Sequence, residues 1–498
     1  MATSEGQNNL VQAAHRSHLH WAGLLMVLAL TAALRLPGIG RPLLGNFATK
    51  QAVYGMIARN WGLGRAELAY PTIDVLCGGR RGLHLLEFPV SAYVTATGWR
   101  TVGGPLDVWG RATSAAWSLA AVGLMYGFVR RRHSAAAAFG ASLAVALSPV
   151  SVIYGQSFML EASLVCFTLL AFFAWDRWLD LGGPLTGGRC VFWLLTAGAG
   201  LALLLLTKIY MAVVLLPLGA MVVRGGASRR RATVGLVALA AAVLPAACWY
   251  GLAYQAAEPG RPLADRVFYS VRASAETHHP PHPLLFSAEF YRGVLDDLSG
   301  VVLTPLGFTL ALAGLINRQW RRYGVWLGMS VLLVLLLPRK FHEMNYYWMA
   351  VLPPLAVLVG LGWEQVQRRM QPGRAAAAML LLIGVVFSLR YAVKPALVTP
   401  EEDRGVVPAA AALREFVEDA NEPVVAVHGT SLDLLYYCNR PGWAVSPKNE
   451  ENARRLAECR RAGARFAVLV GTKLPELGEP AAEGHGYRVY RLREDPPD

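Results

Sequence analysis

Phe158-Met159-Leu160-Glu161-Ala162-Ser163-Leu164-Val165-Cys166-Phe167-Thr168-Leu169-Leu170-Ala171-Phe172-Phe173-Ala174-Trp175 is an eighteen-residue run with a single ionisable side chain. A helix needs about 20 predominantly apolar residues to cross the hydrocarbon of a bilayer, so a run of this length reads as a membrane span. Similar runs cover 21–36, 112–129, 134–153, 191–207, 209–223, 233–254, 300–316, 323–338, 347–363 and 375–393. Together they predict about eleven transmembrane helices. Composition agrees: 54% of residues are hydrophobic and only 16% charged, against about 25% charged in a soluble domain. The fold class expected is an α-helical polytopic membrane protein.

Lys and Arg total 47 against 33 Asp and Glu, a net charge of +14. In a soluble chain this would suggest nucleic acid as a partner. Here the basic residues gather at the ends of apolar runs: Arg130 to Arg132, Arg229 to Arg231, Arg318 with Arg321 and Arg322, and Arg368 with Arg369 and Arg374. Each cluster follows an even-numbered span, as expected of cytoplasmic turns, so no nucleic-acid partner is implied. The pattern places the N-terminus inside, and 37–111, 255–299, 339–346 and the tail after Lys394 outside. The first apolar run lacks a small-residue cleavage site after it, so it reads as an anchor that stays. The six Cys form no Cys-x-x-Cys or Cys/His cluster. Cys438 and Cys459 are the pair that would bridge if their segment folds in an oxidising compartment.

The first outer loop, 37–111, is far longer than a connection between packed helices needs. Phe47 to Trp61 predicts an amphipathic helix with Phe47, Val53, Tyr54, Ile57 and Trp61 on one face and Lys50 and Arg59 off it. Leu85 to Trp99 is a second apolar stretch; both suit interfacial helices. Beyond Pro400 the acids, Gly and Pro rise. Helices are expected at 407–419 and 449–462, and strands at 423–427, 466–470 and 487–492, which is a small C-terminal α/β domain. The domain division is 1–393 for the transmembrane part and 394–498 for the outer domain.

Ionisable groups at membrane depth are costly, so they mark candidate sites. Glu87 stands in Leu85-Leu86-Glu87-Phe88-Pro89, with Pro89 fit to start a helix. Glu161 lies just inside the outer end of its span and must face a cavity or a partner. Asp74, in Tyr70-Pro71-Thr72-Ile73-Asp74, is a loop acid for which plain solvation is the simpler account. Lys50, Arg59, Arg80, Arg81, Lys208, Arg339 and Lys340 are basic groups near the same boundary, suited to a phosphate or to lipid head groups. The turn Arg339-Lys340-Phe341-His342-Glu343-Met344-Asn345-Tyr346-Tyr347 is dense in polar and aromatic groups that could hold a metal, sugar hydroxyls or a sugar ring, or form an interfacial belt. His278, His279 and His282, among prolines, have the composition of either a metal tract or a plain loop.

A long first outer loop, an acid before Pro, an acid opening the fourth span and a His-x-x-Asn-Tyr-Tyr turn together resemble the GT-C superfamily of polyprenyl-phosphate-sugar-dependent glycosyltransferases. Its protein-mannosyltransferase and lipid A aminoarabinose-transferase group is the part this chain is most similar to. The resemblance implies Glu87 and Glu161 as catalytic acids. It implies His342, Asn345, Tyr346 and Tyr347 as residues lining the same cavity; with Lys50, Arg59 and Arg81 for the phosphate, and Asp74, they are the substrate-binding residues expected, and a divalent metal ion is the possible cofactor. Lys50-Gln51 with Ile57-Ala58-Arg59 resembles the Arg-Gln and Ile-Ala-Arg pattern of one subgroup. One departure stands out: Asn46-Phe47-Ala48-Thr49 offers no acid where many members carry one, which leaves the base open.

The function so implied is transfer of a sugar from a polyprenyl-phosphate donor to an acceptor hydroxyl of a protein, lipid or glycan, at the outer face of the plasma (inner) membrane, with membrane lipids as neighbours. Two other classes fit a polytopic basic chain. A secondary transporter would place its ionisable site near the midplane, in two related halves, and no such repeat is evident. A relative that binds lipid-linked sugar without turnover fits the missing first-loop acid.

Overall fold

The computed structural model describes residues 21–182, 184–224, 228–276, 283–370, 373–429, 431–446, 452–474 and 477–492. The histidine tract at 278–282 lies outside them. Every one of the eleven apolar runs falls on helix, and six helices are long and apolar enough to span a membrane on their own: Trp21–Gly38, Leu106–Arg130, Glu161–Asp180, Gly188–Thr207, Arg229–Ala256 and Ala375–Asp403. A seventh is counted if Ala288–Val302 and Thr304–Ile316, bent by 107° between them, make one span.

The remaining runs are interrupted, for local reasons. Ser148 ends Ala135–Leu147 and caps Pro149–Tyr154, its side chain accepting from the Ser151 amide, so the run 134–153 is two helices. Ile209–Val214 is a 3-10 turn ahead of Leu215–Arg224, and Asn345–Ala350 another ahead of Leu352–Met370. These breaks lie at the end of the bundle where Glu161 and Lys208 stand. At such breaks backbone groups and side chains can point into a cavity instead of into lipid. Elsewhere the bundle is held by close packing. Gly314 and Gly362 meet where Thr304–Ile316 crosses Leu352–Met370, and a Cβ on either would run into the carbonyl of Leu358 or Leu310, the small-residue contact that lets membrane helices approach.

The first outer loop holds helices Ala48–Gly62 and Val90–Val102, the latter starting directly after Pro89 as expected. Ala48–Gly62 is covered on nearly every face, Gln51 to Asn60 being buried without a break, so the amphipathic stripe does not describe its surroundings. The C-terminal segment packs over it, and one hydrophobic cluster joins Ala52, Tyr54 and Ile57 to Leu413, Leu434 and Tyr436.

The strands form one sheet in the order β3-β2-β1-β5-β4-β6-β8-β7. In chain order they are β1 (Thr72–Cys77), β2 (Arg80–Leu85), β3 (Val267–Ser270), β4 (Val424–Val427), β5 (Gly442–Val445), β6 (Phe466–Val470), β7 (Ala482–Gly484) and β8 (Tyr487–Arg491). The three expected C-terminal strands are β4, β6 and β8, and the expected helices are Val406–Phe416 and Asn452–Arg461. The hairpin β1–β2 was not anticipated. It turns on Gly78 and Gly79, both at positive φ, and joins the C-terminal strands through Val75 opposite Gly442. Cys438 and Cys459 are free thiols in clusters on opposite faces of the sheet, because residues alternate sides along a strand.

Candidate active site

A cavity of about 580 Å³ opens between the first outer loop, the Lys208 turn and the Lys340 to Tyr347 turn. Glu87 reaches it because β2 ends at Leu85 and Pro89 starts the next helix, leaving a short kinked link. Lys208 is the first residue after the helix Gly188–Thr207. Glu161 is the first residue of its own helix. These three chain breaks put the ammonium of Lys208 between two carboxylates: it pairs closely with Glu87 and lies 3.6 Å from Glu161.

Lys50 stands 3.8 Å from the same Glu87 oxygen and donates to the Tyr346 hydroxyl at 3.1 Å. Tyr54 donates to the second Glu87 oxygen at 3.2 Å. Tyr346 stacks on Tyr347, and Tyr347 on Tyr210, which gives the cavity an aromatic wall. Lys340 lines it as well. The charge at the cavity is thus cationic in excess. Burial alone would raise the Glu87 carboxyl, but Lys208 and Lys50 outweigh it and hold the group down to about 2. Burial and the nearby Lys50 push the Lys340 ammonium below its usual value. An anion entering the cavity would relieve that repulsion.

Other expected site residues lie elsewhere. Arg59 and Arg81 grip Asp74 at 2.5 and 2.9 Å, with Asn60 at 3.2 Å. Burial alone would raise Asp74, yet the two arginines keep its carboxyl below its usual range. None of these four lines the cavity. They are an ion cluster tying Ala48–Gly62 to the hairpin, and the solvated acid expected at Asp74 is buried. His342 and Glu343 are exposed, Glu343 pairing with Arg339 at 2.8 Å. His342 faces Phe290 and does not line the cavity. Asn345 accepts from Tyr154 behind the Tyr346 wall. Asn46, where an acid was missed, is exposed at the rim beside Gly45.

Burial of Glu161 is nearly complete, and neither of its oxygens has a hydrogen-bond partner among the described residues. A divalent metal ion, with Glu87 or Glu161 as a ligand, is the cofactor expected as possible, and the space between these two acids is where both could reach it. The residues present do not fit one, because the Lys208 ammonium already occupies the position between the two acids. Among the described residues one grouping has metal-ligand character, Asp403 with His428 and Asp433, outside the cavity.

Sequence reasoning missed His84, Tyr250 and Tyr269, which line the cavity. His84 is buried, stacked on Tyr269, and burial lowers its imidazole to about 4. The signal that would have found it is the Gly78-Gly79 pair flanked by strand-length segments, which marks a hairpin. A second cavity of 590 Å³ lies at the opposite end of the bundle. Its charged residues are Arg132, Asp176, Asp180 and Arg322; the first three are bonded to one another, with Arg131 joining them.

No curated protein matches the chain in sequence. The family described as dolichyl-phosphate-mannose-protein mannosyltransferase matches residues 81–225, the segment that holds Glu87, Glu161 and Lys208. Among solved structures, ArnT from Cupriavidus metallidurans bound to undecaprenyl phosphate is 16% identical with a TM-score of 0.62, over 96% of this chain and 98% of that one. The oligosaccharyltransferase of Archaeoglobus fulgidus, in complex with zinc and sulfate, is 14% identical with a TM-score of 0.60, over 90% of this chain and 68% of that one. Arabinofuranosyltransferase AftD from Mycobacteria is 15% identical with a TM-score of 0.53, over 95% of this chain and 40% of that one. Along nearly its whole length, then, this chain has the fold of the GT-C glycosyltransferases, the superfamily its motifs resemble.

Proposed function

We propose that the cavity binds a polyprenyl-phosphate-linked sugar and passes the sugar to an acceptor hydroxyl on a protein, lipid or glycan. The observation that carries this reading is the gathering of Lys50, Lys208, Lys340 and Glu87 in one tyrosine-walled cavity at one end of a membrane bundle. Ammonium groups are phosphate donors, and tyrosine faces suit a sugar ring. The solved relative with undecaprenyl phosphate supports the choice of an isoprenoid phosphate. The lipid tail would lie against the apolar helices and supply binding energy remote from the reacting carbon.

In the transfer, the bond between the anomeric carbon and the phosphate oxygen breaks as the acceptor oxygen bonds to that carbon. Lys50, Lys208 and Lys340 take the growing charge of the leaving phosphate. The acceptor proton goes to a carboxylate. Glu87 lines the cavity and is ionised at neutral pH, so it is the residue we assign to receive it. Glu161 balances Lys208 from behind. We place the cavity on the extracytoplasmic side of the plasma membrane, with the N-terminus cytoplasmic, on the strength of the basic clusters at the other helix ends. Residues 1–393 form the catalytic membrane domain in this reading and 394–498 an extracytoplasmic domain that covers the first-loop helix.

The test is turnover of a polyprenyl-phosphate sugar by purified protein, wild type against Glu87→Gln. Loss of transfer with intact folding supports the assignment, and unchanged turnover defeats it. Asn46 favours a second reading, in which the lipid phosphate binds but no sugar moves. Saturable donor binding with no transfer in the wild type would decide for it.

A further inference from the structure

Outside the cavity, three buried ionisable groups converge where the C-terminal domain meets the first outer loop. Asp403 ends the 3-10 turn Glu401–Asp403, His428 follows β4, and Asp433 lies in the helix Ser431–Cys438. One ligand atom from each lies within 4.8 Å of the others, and all three residues are buried. His428 Nε2 is 3.0 Å from Asp403 Oδ1 and 3.9 Å from Asp433 Oδ2. Bonds of about 2.0–2.1 Å in a tetrahedron hold neighbouring ligand atoms about 3.3 Å apart. The two separations bracket that value.

The surroundings aim these atoms inward. Asp403 Oδ2 accepts from the Gly45 amide at 3.0 Å, and Asp433 Oδ1 from the Leu434 amide at 2.7 Å. Each carboxylate thus has one oxygen engaged by backbone and the other turned to the imidazole. On the far side of the ring, Nδ1 faces the Val470 carbonyl at 3.5 Å. With its proton on Nδ1 toward that carbonyl, the ring presents the Nε2 lone pair to the carboxylates' side, the outer-shell arrangement typical of metal-bound histidine. Both ring nitrogens face oxygen acceptors, and a neutral imidazole has one N–H to give. Either a proton on Nε2 or a bound cation meets the two carboxylates there, and the near-tetrahedral ligand spacing favours the cation.

We propose that Asp403, His428 and Asp433 bind one divalent transition-metal ion of the zinc class, which pins the C-terminal domain to the rim of the cavity through the Asp403 contact to Gly45. One imidazole and two carboxylates suit such an ion, with water in a fourth position. Gly45 and Leu432 both line the cavity, so the ion would tie two rim residues to one centre. The role is structural and does not depend on the transfer reaction proposed above.

The experiment uses full-length protein without an affinity tag of histidines, purified in detergent, stripped with EDTA and titrated with zinc chloride. Bound metal is read by mass spectrometry of the elements and stability by the unfolding midpoint. One zinc per chain is expected, with the midpoint lowered by several degrees on stripping and restored by zinc. His428→Gln and Asp433→Asn should lose the ion, while a variant with His278, His279 and His282 all changed to Ala should keep it. If the His428 variant does not fold, cobalt added to stripped wild type should give the visible absorption of a tetrahedral site. Wild type that takes up no zinc and shows no EDTA shift overturns the proposal and leaves a protonated histidine between the acids. Zinc that leaves with the 278–282 substitutions and stays with His428→Gln overturns it too.

Discussion

Two ion clusters are built on the first outer loop, the second completed by Lys208 from the end of the helix Gly188–Thr207, and they differ in what they face. Arg59, Asp74 and Arg81 close on one another with Asn60, away from the cavity. Lys50, Glu87 and Lys208 close on one another too, but along a cavity wall, with Lys340 adding charge that no acid at the cavity balances. Residue types alone do not separate the two, since each has a carboxylate held between two cations. What separates them is open volume. The first cluster borders no cavity and holds parts of the fold together. The second still has cationic capacity directed at a space that a ligand can enter.

The sharpest way to break this contrast is Glu87→Gln. Removing a group that receives a proton in the transition state should cut transfer by about 10²–10⁴-fold, with the folded population unchanged by circular dichroism. Asp74→Ala should act on the opposite quantity. Removing one partner from a buried ion cluster costs about 3–5 kcal/mol, here because Arg59 and Arg81 would be left facing each other, and the unfolding midpoint should fall while donor affinity of the folded fraction is kept. A drop in affinity with no loss of stability would erase the distinction between the clusters.

Lys50→Met should weaken donor binding by about 10–150-fold, the equivalent of one charge-assisted hydrogen bond at about 1.5–3 kcal/mol, measured as Kd for the lipid phosphate. The smallest effect concerns pH. The Glu87 carboxyl is depressed from its ordinary 4.5 to about 2, so its stabilising contribution is complete above about 4.5 and is lost as pH falls through about 2. Between pH 5 and 8 neither stability nor transfer should change on its account. An acid limb near pH 6 that disappears in Glu87→Gln would show that the carboxyl is not held down as the ion pairs require.

Most of the fold was legible because hydrophobic length is a strong signal. All the apolar runs fall on helix, Pro89 starts the helix it was expected to start, and β4, β6 and β8 lie within two residues of their expected bounds. The breaks were harder, because Ser148, Leu303 and Val351 interrupt helices without interrupting hydrophobicity. The candidate site was half legible. Glu87, Glu161, Lys50 and Lys208 stand out as charges beside apolar sequence, and the structure brings them together. Asp74, Arg59 and Arg81 carry the same local signal, and only the hairpin that buries them tells them apart. His342 was misplaced because a six-residue helix, Pro338–Glu343, turns it away from the face on which Lys340 lines the cavity. The contacts of Ala48–Gly62 with Leu434 and Tyr436 join residues nearly four hundred positions apart, which no local pattern records.

The most direct test of the account is binding of undecaprenyl phosphate to purified protein in detergent, comparing wild type with Lys50→Met combined with Lys340→Met. The account predicts saturable one-site binding in wild type and a Kd at least about tenfold higher in the double variant, from the loss of two phosphate-facing charges. Equal affinity in the two proteins, with both folded, would contradict it.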